Sequence, residues 1–464
     1  MKSIALLSNK KKELLLGTIF LTINVVFYIF SADNATFIEG ADAGQYYRPA
    51  ISLLQDGGLR AGPGVEFSTF GTPLYSILLA IPIGIFGIDH SSLAIVFIQC
   101  FLLYLTGIIA RKFSIVFLKK ESFLLHSLII FNPNSLITAH LVQTETLFTL
   151  FLVLSVYYLF KLIDKNSFKY VFLLSVSLGL LTLTRPAGLY LIYLAPVLLL
   201  GFVYINNRTK IKDYAITSFL LVVFSLSVLS PWVIRNYLVF DEVFVSANAG
   251  PYLKDQYIQL LKISRQWNEK QAIDYINILQ KNYRENNIVK DICIQNERHW
   301  SCNDYMFNSM MGGIIKEPIS SHTKALLSSW SYLYLSGGAS NIRNYFGLLG
   351  KEHIISFQKS RSDGISGIVS FIKTINMSYL VILIATTGFS FATRFLGLIG
   401  FFSLVKSSNT IRSYAAIIIM LLLLFTAMYM YLGQSRFRVP LEPFLMIFST
   451  IAIFNFCDRF NHKK

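Results

Sequence analysis

Leu93-Ala94-Ile95-Val96-Phe97-Ile98-Gln99-Cys100-Phe101-Leu102-Leu103-Tyr104-Leu105-Thr106-Gly107-Ile108-Ile109, with Arg111-Lys112 just beyond, decides how the chain is read. A helix rises about 1.5 Å per residue and the hydrocarbon slab is about 30 Å thick, so an uncharged run of this length is suited to crossing a bilayer. Comparable runs recur at 14–30, 123–141, 146–160, 170–183, 187–205, 214–229, 377–405, 414–432 and 444–456. Of the 464 residues 54% are hydrophobic and only 14% charged, against roughly a quarter charged in soluble domains. The mean hydropathy is +0.55. The expectation is an all-α polytopic membrane protein with about ten transmembrane helices.

Orientation follows from the cations, because cytoplasmic loops retain Lys and Arg. They fall at Lys10, Lys11 and Lys12; at Arg111, Lys112, Lys119 and Lys120; and at Lys161, Lys165 and Lys169. Further along come Arg208, Lys210 and Lys212; Lys406 and Arg412; and Arg459, Lys463 and Lys464. Placing all these clusters on one side puts both termini in the cytoplasm. The net charge of +16 is then topological, and its scatter excludes a nucleic-acid-binding face. The run 14–30 leads into Ser31-Ala32-Asp33 without a cleavage pattern and reads as an anchor.

The apolar stretch 73–88 is not counted as a crossing, since counting it would place the Arg111 to Lys120 cluster outside. With Pro73, Pro82 and Gly84 it suits an interfacial or re-entrant segment. The stretch 377–405 contains Arg394 and reads as one tilted helix or two pieces. The chain divides into a transmembrane module 1–237 with an outer juxtamembrane loop 33–92, a small helical extracytoplasmic insert 238–367, and a transmembrane segment 368–464. Within the insert, Ala272, Ile273, Tyr275, Ile276 and Leu279 stand near helical spacing, as on an amphipathic helix over 268–286. Cys293 and Cys302 could pair there in an oxidising compartment. No internal repeat of 20 to 50 residues stands out.

Chemistry-bearing residues collect at the outer turns. The first outer loop reads Glu39-Gly40-Ala41-Asp42-Ala43-Gly44-Gln45-Tyr46-Tyr47-Arg48. Asp42 suits a general base at the membrane surface, and equally an N-cap for a helix beginning at Ala43. Glu145 stands in the short second outer loop, where a carboxylate also complements a helix dipole. Arg185-Pro186 follows, then Pro231-Trp232 with Arg235-Asn236, then Gly433-Gln434-Ser435-Arg436-Phe437-Arg438-Val439-Pro440. Singly, each arginine reads as a snorkelling anchor. Together, Arg185, Arg235, Arg436 and Arg438 form a candidate anion site, because guanidinium groups grip phosphate in a fork. Tyr46, Tyr47, Arg48 and Asn236 are candidate substrate contacts beside Asp42 and Glu145.

Asp42-Ala43 with Tyr46-Tyr47, Thr144-Glu145-Thr146-Leu147-Phe148, Leu183-Thr184-Arg185-Pro186, Pro231-Trp232 with Arg235-Asn236, and Arg436-Phe437-Arg438 with Pro440 carry a resemblance. In that order and spacing the chain resembles the GT-C glycosyltransferase superfamily, specifically its dolichyl-phosphate-mannose protein mannosyltransferase and aminoarabinose transferase branch. The resemblance implies that Asp42 is catalytic, that Glu145 assists or binds metal, and that Arg185, Arg235 and Arg438 hold the donor phosphate. Here the first motif has a single Asp where the protein mannosyltransferases have an Asp-Glu pair, which favours a bacterial glycan or lipid acceptor over a protein.

The expected activity is inverting transfer of a sugar from a polyprenyl-phosphate donor to a glycan, lipid or protein acceptor outside a bacterial plasma membrane. One cofactor stays open, a divalent cation with Asp42 and Glu145 as its candidate ligands. Two rivals belong to other classes: a transporter or flippase of a lipid-linked or anionic solute, and a polysaccharide polymerase or ligase. Transport would call for buried charge inside the spans, where Arg394 and His126 are the candidates. The sequon Asn34-Ala35-Thr36 would matter only in an endoplasmic reticulum.

Overall fold

The computed structural model describes residues 8–31, 42–67, 71–291, 293, 300–348 and 376–461. Glu39 to Ala41 of the first loop motif, the Asn34 sequon and the insert beyond residue 348 lie outside them. Among the described residues the regular structure is helical, apart from an isolated bridge between Arg60 and Phe67.

The first half contains α1 (Asn9–Ile29), α2 (Ala43–Gln55), α3 (Pro73–Phe86), α4 (Ser92–Leu118), α5 (Phe123–Ile130) and α6 (Pro133–Thr138). It continues through α7 (Glu145–Asp164), α8 (Phe168–Thr184), α9 (Leu189–Asn206) and α10 (Ile211–Phe240). The insert supplies α11 (Ala249–Ser264), α12 (Glu269–Asn286), α13 (Asn303–Lys316), α14 (Ile319–Leu335) and α15 (Ala339–Tyr345). Finally come α16 (Met377–Leu404), α17 (Asn409–Met428), a 3-10 turn (Ser435–Leu441) and α18 (Glu442–Asn461).

Eight of the ten expected spans are helices long and apolar enough to cross a membrane. The ninth, α8, has 17 residues. The tenth, 123–141, is not one helix. Asn132 ends α5 and starts α6, its side chain accepting from the Asn134 and Ser135 amides at 3.0 and 3.2 Å with Pro133 at the first helical position. Carbonyls freed inside a bundle need partners. Where α6 ends, Gln99 from α4 supplies them, its Nε2 donating to the Ala139 and Leu141 oxygens at 3.1 and 3.0 Å.

The stretch 73–88 forms α3, whose 14 residues span only about 21 Å, and it lies along α2 and against α8. The stretch 377–405 is a single helix, α16. It packs on α18 so closely that a side chain at Gly400 would reach within 1.8 Å of the Phe448 oxygen, which only glycine avoids.

Helices α7 and α18 are mostly buried, whereas α1 and α16 are mostly exposed. The first two are therefore the centre of the bundle and the other two are its rim. Phe97, Phe101, Phe219, Phe391, Phe395 and Phe402 point outward, as lipid contact requires and water forbids.

The outer helices have their own apolar centre, built from Tyr257, Leu260, Leu261, Ala272, Ile276, Met306, Met310 and Ala325. The expected amphipathic helix is α12. Asn268 caps it through a reciprocal pair with Gln271, and Ala272 and Ile276 are its buried stripe. Cys293 and Cys302 are joined by a disulfide.

Candidate active site

Four of the turns carry charged side chains to one place. Asp42 sits at the N-cap position of α2, yet its carboxylate makes no capping bond. It is held instead by Nη1 of Arg436, from the 3-10 turn before α18. Capping, the ordinary use of an aspartate at that position, is thus not what this side chain does.

Glu145 begins α7 and is buried. Its Oε1 accepts from Nη1 of Arg185 at 2.8 Å. Arg185 ends α8 in extended backbone, and Pro186 forces a 3-10 turn there. The helix cannot continue through that proline, so the turn carries the guanidinium back toward α7. Phe148 and Phe437 lie 5.8 and 5.9 Å from it, and Tyr429 stacks on Phe437 at 4.6 Å.

Tyr46 joins the two ion pairs. It is partly buried, close to Arg185, Glu145, Asp42 and the Thr144 side chain. Burial, with the two carboxylates adding to it, pushes its phenol above the ordinary 10.0 and keeps it neutral. Tyr46 also meets Tyr75 edge to face at 5.3 Å, and Tyr75 donates to Gln99 Oε1 at 2.8 Å. Gln99 therefore links this ring to the carbonyls that lead into Glu145. From the outer insert, Tyr252 lies close to Tyr429, Arg185 and Arg436, and burial raises its pKa as well.

Other residues singled out in the sequence sit elsewhere. Arg438 is fully buried, with Nε on Glu442 Oε1 at 2.6 Å, Nη2 on the Ser336 oxygen at 2.8 Å and Nη1 on the Leu333 oxygen. Arg394 bonds the same Glu442 at 2.7 Å. The two guanidiniums and one carboxylate thus lock α16, α14 and α18 together, and Arg438 is taken up by that lock. Arg235 is held among Trp232, Phe67 and Phe240, donating to the Leu59 oxygen at 3.1 Å and to Asn236 at 2.8 Å. Asn236 in turn donates to the Phe244 oxygen at 2.9 Å. Tyr47 is a strut, its hydroxyl meeting the Ile88 oxygen at 3.0 Å and Ser91 at 3.1 Å. Arg48 is exposed on α2.

Tyr429, Tyr252 and Gln99 gave no signal in the sequence, because none carries a charge and nothing local sets it apart from its neighbours. Glu442 did carry one, standing four residues after Arg438 and facing it.

The donor set does not fit a resident divalent cation. Asp42 and Glu145 are each neutralised by an arginine, and no group of three or more acidic, His or Cys side chains occurs among the described residues.

The described architecture is that of an all-α, multi-pass membrane protein. Residues 71–234, which include Glu145 and Arg185, match the family model described as dolichyl-phosphate-mannose-protein mannosyltransferase. None of the curated proteins matches the chain. Among solved structures, the chain is similar to the apo oligosaccharyltransferase of Archaeoglobus fulgidus at 15% identity and a TM-score of 0.48, covering 96% of this chain and 51% of that one. The chain thus spans about half the length of that protein. It is also similar to ArnT from Cupriavidus metallidurans bound to undecaprenyl phosphate, at 13% identity and a TM-score of 0.38, covering 95% and 78%.

Proposed function

We propose that the protein is a glycosyltransferase that moves a sugar from a polyprenyl-phosphate donor to an acceptor hydroxyl at the outer face of the membrane, with inversion. One observation carries this reading: Asp42 and Glu145, from separate turns, are each held by an arginine from another turn, and Tyr46 sits between the pairs. The lipid-phosphate donor is of the class named in the matched family model.

Arg436 is engaged by Asp42 as long as no stronger anion is present. A donor phosphate competes for that guanidinium, since phosphate offers more charge and a bidentate face. Its arrival draws Arg436 away and leaves the Asp42 carboxylate open to an acceptor hydroxyl. Asp42 then takes the hydroxyl proton as the acceptor oxygen bonds to the anomeric carbon. The bond from that carbon to the phosphate oxygen breaks, and the electron pair leaves on the polyprenyl phosphate. Arg185 and Arg436 stabilise the charge developing there. A single displacement inverts the anomeric centre. Glu145 orients Arg185, and Tyr46, kept neutral, adds no competing charge.

The basic clusters support an orientation with both termini in the cytoplasm and the site outside. The Cys293–Cys302 disulfide belongs in an oxidising compartment on that same outer side. The buried charge that transport would need is committed: Arg394 is locked to Glu442.

The test is transfer by the purified chain, supplied with radiolabelled polyprenyl-phosphate sugars and membrane extract. Label should move into product with the unaltered protein, and Asp42→Asn should lower the rate by roughly 10²–10⁴-fold. Near-normal transfer by Asp42→Asn would refute the role of Asp42.

A further inference from the structure

A cavity of about 330 Å³ lies between the outer helices α11, α14 and α15, the start of α16 and the loop that carries Arg436. Its wall is about evenly polar and apolar, where ligand clefts are mostly apolar with a few polar groups. Gln259, Ser329, Ser340, Asn341, Tyr379 and Gln434 present amides and hydroxyls, and Arg436 is the single charged residue in the wall. No carboxylate or lysine stands in the wall to attract a charged peptide.

Two further observations point to a ligand. Ser329 is 5% exposed and its hydroxyl has no partner. It is held in the wall by the loop, since Gly433 passes so near that a side chain there would come within 1.8 Å of the Ser329 oxygen. Arg436 holds Asp42 through Nη1, while its buried Nε is also without a partner. Unmet donors and acceptors in a buried wall cost stability, and a polyhydroxylated ligand would satisfy them.

We infer that this cavity is the acceptor subsite and that the acceptor presents a neutral sugar unit there. The inference rests on the glycosyl-transfer reading and adds the class of acceptor. A sugar ring matches the lining group for group, with hydroxyls to pair with serines and amides and an apolar face for Tyr379. The assignment to acceptor rather than donor rests on Arg436, which stands in the cavity wall and holds Asp42, the residue proposed to take the acceptor proton.

The test uses the full chain in lipid nanodiscs and a panel of methyl hexosides and methyl N-acetylhexosaminides, with binding read by saturation-transfer NMR. At least one glycoside should bind, and Ser340→Trp, which fills the rim from an exposed position, should abolish its signal. Asn341→Ala serves as a milder second variant, weakening the same glycoside roughly tenfold for a lost hydrogen bond. Asp42→Asn should still bind the glycoside, so loss of the catalytic reading and loss of the subsite give different results. In parallel, slow hydrolysis of the polyprenyl-phosphate sugar by water should persist in Ser340→Trp while transfer to acceptor falls. The inference is overturned if no glycoside of the panel binds, if binding survives both variants, or if Ser340→Trp stops donor hydrolysis as well, which would put the donor sugar in the cavity.

Discussion

Arg436 and Arg438 stand two residues apart in one 3-10 turn and serve different parts of the molecule. With three residues per turn, positions two apart are rotated by about 240°, so the two guanidiniums leave the turn in different directions. Arg436 goes to Asp42, and Arg438 goes to Glu442 and to the oxygens of Leu333 and Ser336. Pro440 lies within the same turn. The turn thereby fixes a candidate catalytic contact and a structural lock at once.

Arg436→Ala should therefore reduce transfer with little loss of stability. Its pair with Asp42 is partly exposed, the two side chains being 18% and 32% accessible, and such pairs contribute only about 0–1 kcal/mol. Loss of a donor that stabilises the leaving phosphate should cost about 10²–10³ in kcat. Arg436→Lys should restore only part of it, since an ammonium cannot bind phosphate as a fork. Turnover and melting temperature measured on the same preparations check this, and an unchanged kcat would contradict it.

Glu145 and Arg185 should behave as one unit. Glu145 is nearly inaccessible and Arg185 largely so, so removing either leaves a poorly solvated charge. A cycle of Glu145→Gln, Arg185→Gln and the double variant should give a coupling of about 1–3 kcal/mol in detergent unfolding. Simple additivity would argue against the pairing. Glu145→Gln should also slow transfer less than Asp42→Asn does, because it orients Arg185 and moves no proton.

Glu442→Gln should be among the most damaging single changes. It leaves Arg394 and Arg438 buried together with no counter-charge, a loss of about 3–5 kcal/mol. Replacing all three, with Arg394→Met, Arg438→Met and Glu442→Leu, should recover much of that stability, as apolar substitutes for buried ion groups often do. Thermal unfolding reads both effects. A stable Glu442→Gln variant would mean the lock contributes little.

Cys302→Ser should loosen the outer helices and leave the bundle intact. The bridge closes a short loop, its cysteines 9 residues apart, for which constraint of the unfolded chain amounts to about 2–3 kcal/mol. Hydrogen exchange should speed up in α11 to α14 and stay unchanged in α7 and α18. Equal acceleration in both regions would show that the insert and the bundle unfold together.

How far the site could be read from the sequence depended on the residue. Asp42, Glu145, Arg185 and Arg436 were visible because charges at short turns between apolar runs are costly without a purpose, and the structure brings these four together. Arg235 and Arg438 carried the same signal and are held elsewhere, because a turn residue two positions along, or a helix end one turn away, faces another neighbour. Tyr429, Tyr252 and Gln99 were silent, being ordinary uncharged residues until neighbouring helices surround them. The break at Asn132-Pro133 was legible as a cap followed by proline, but the apolar run around it outweighed it.

Hydropathy along the chain was enough to establish a helical membrane protein, the positions of eight long spans and the clusters of basic residues, because each depends on local composition against a solvent of known thickness. Which charges meet was decided only in three dimensions. Arg436 is 394 positions from Asp42, and no local pattern encodes a contact over that distance. It exists because α7 is packed at the centre of the bundle and the turns around it converge at one end, where helix packing and rotation within a single 3-10 turn select which guanidinium faces which carboxylate.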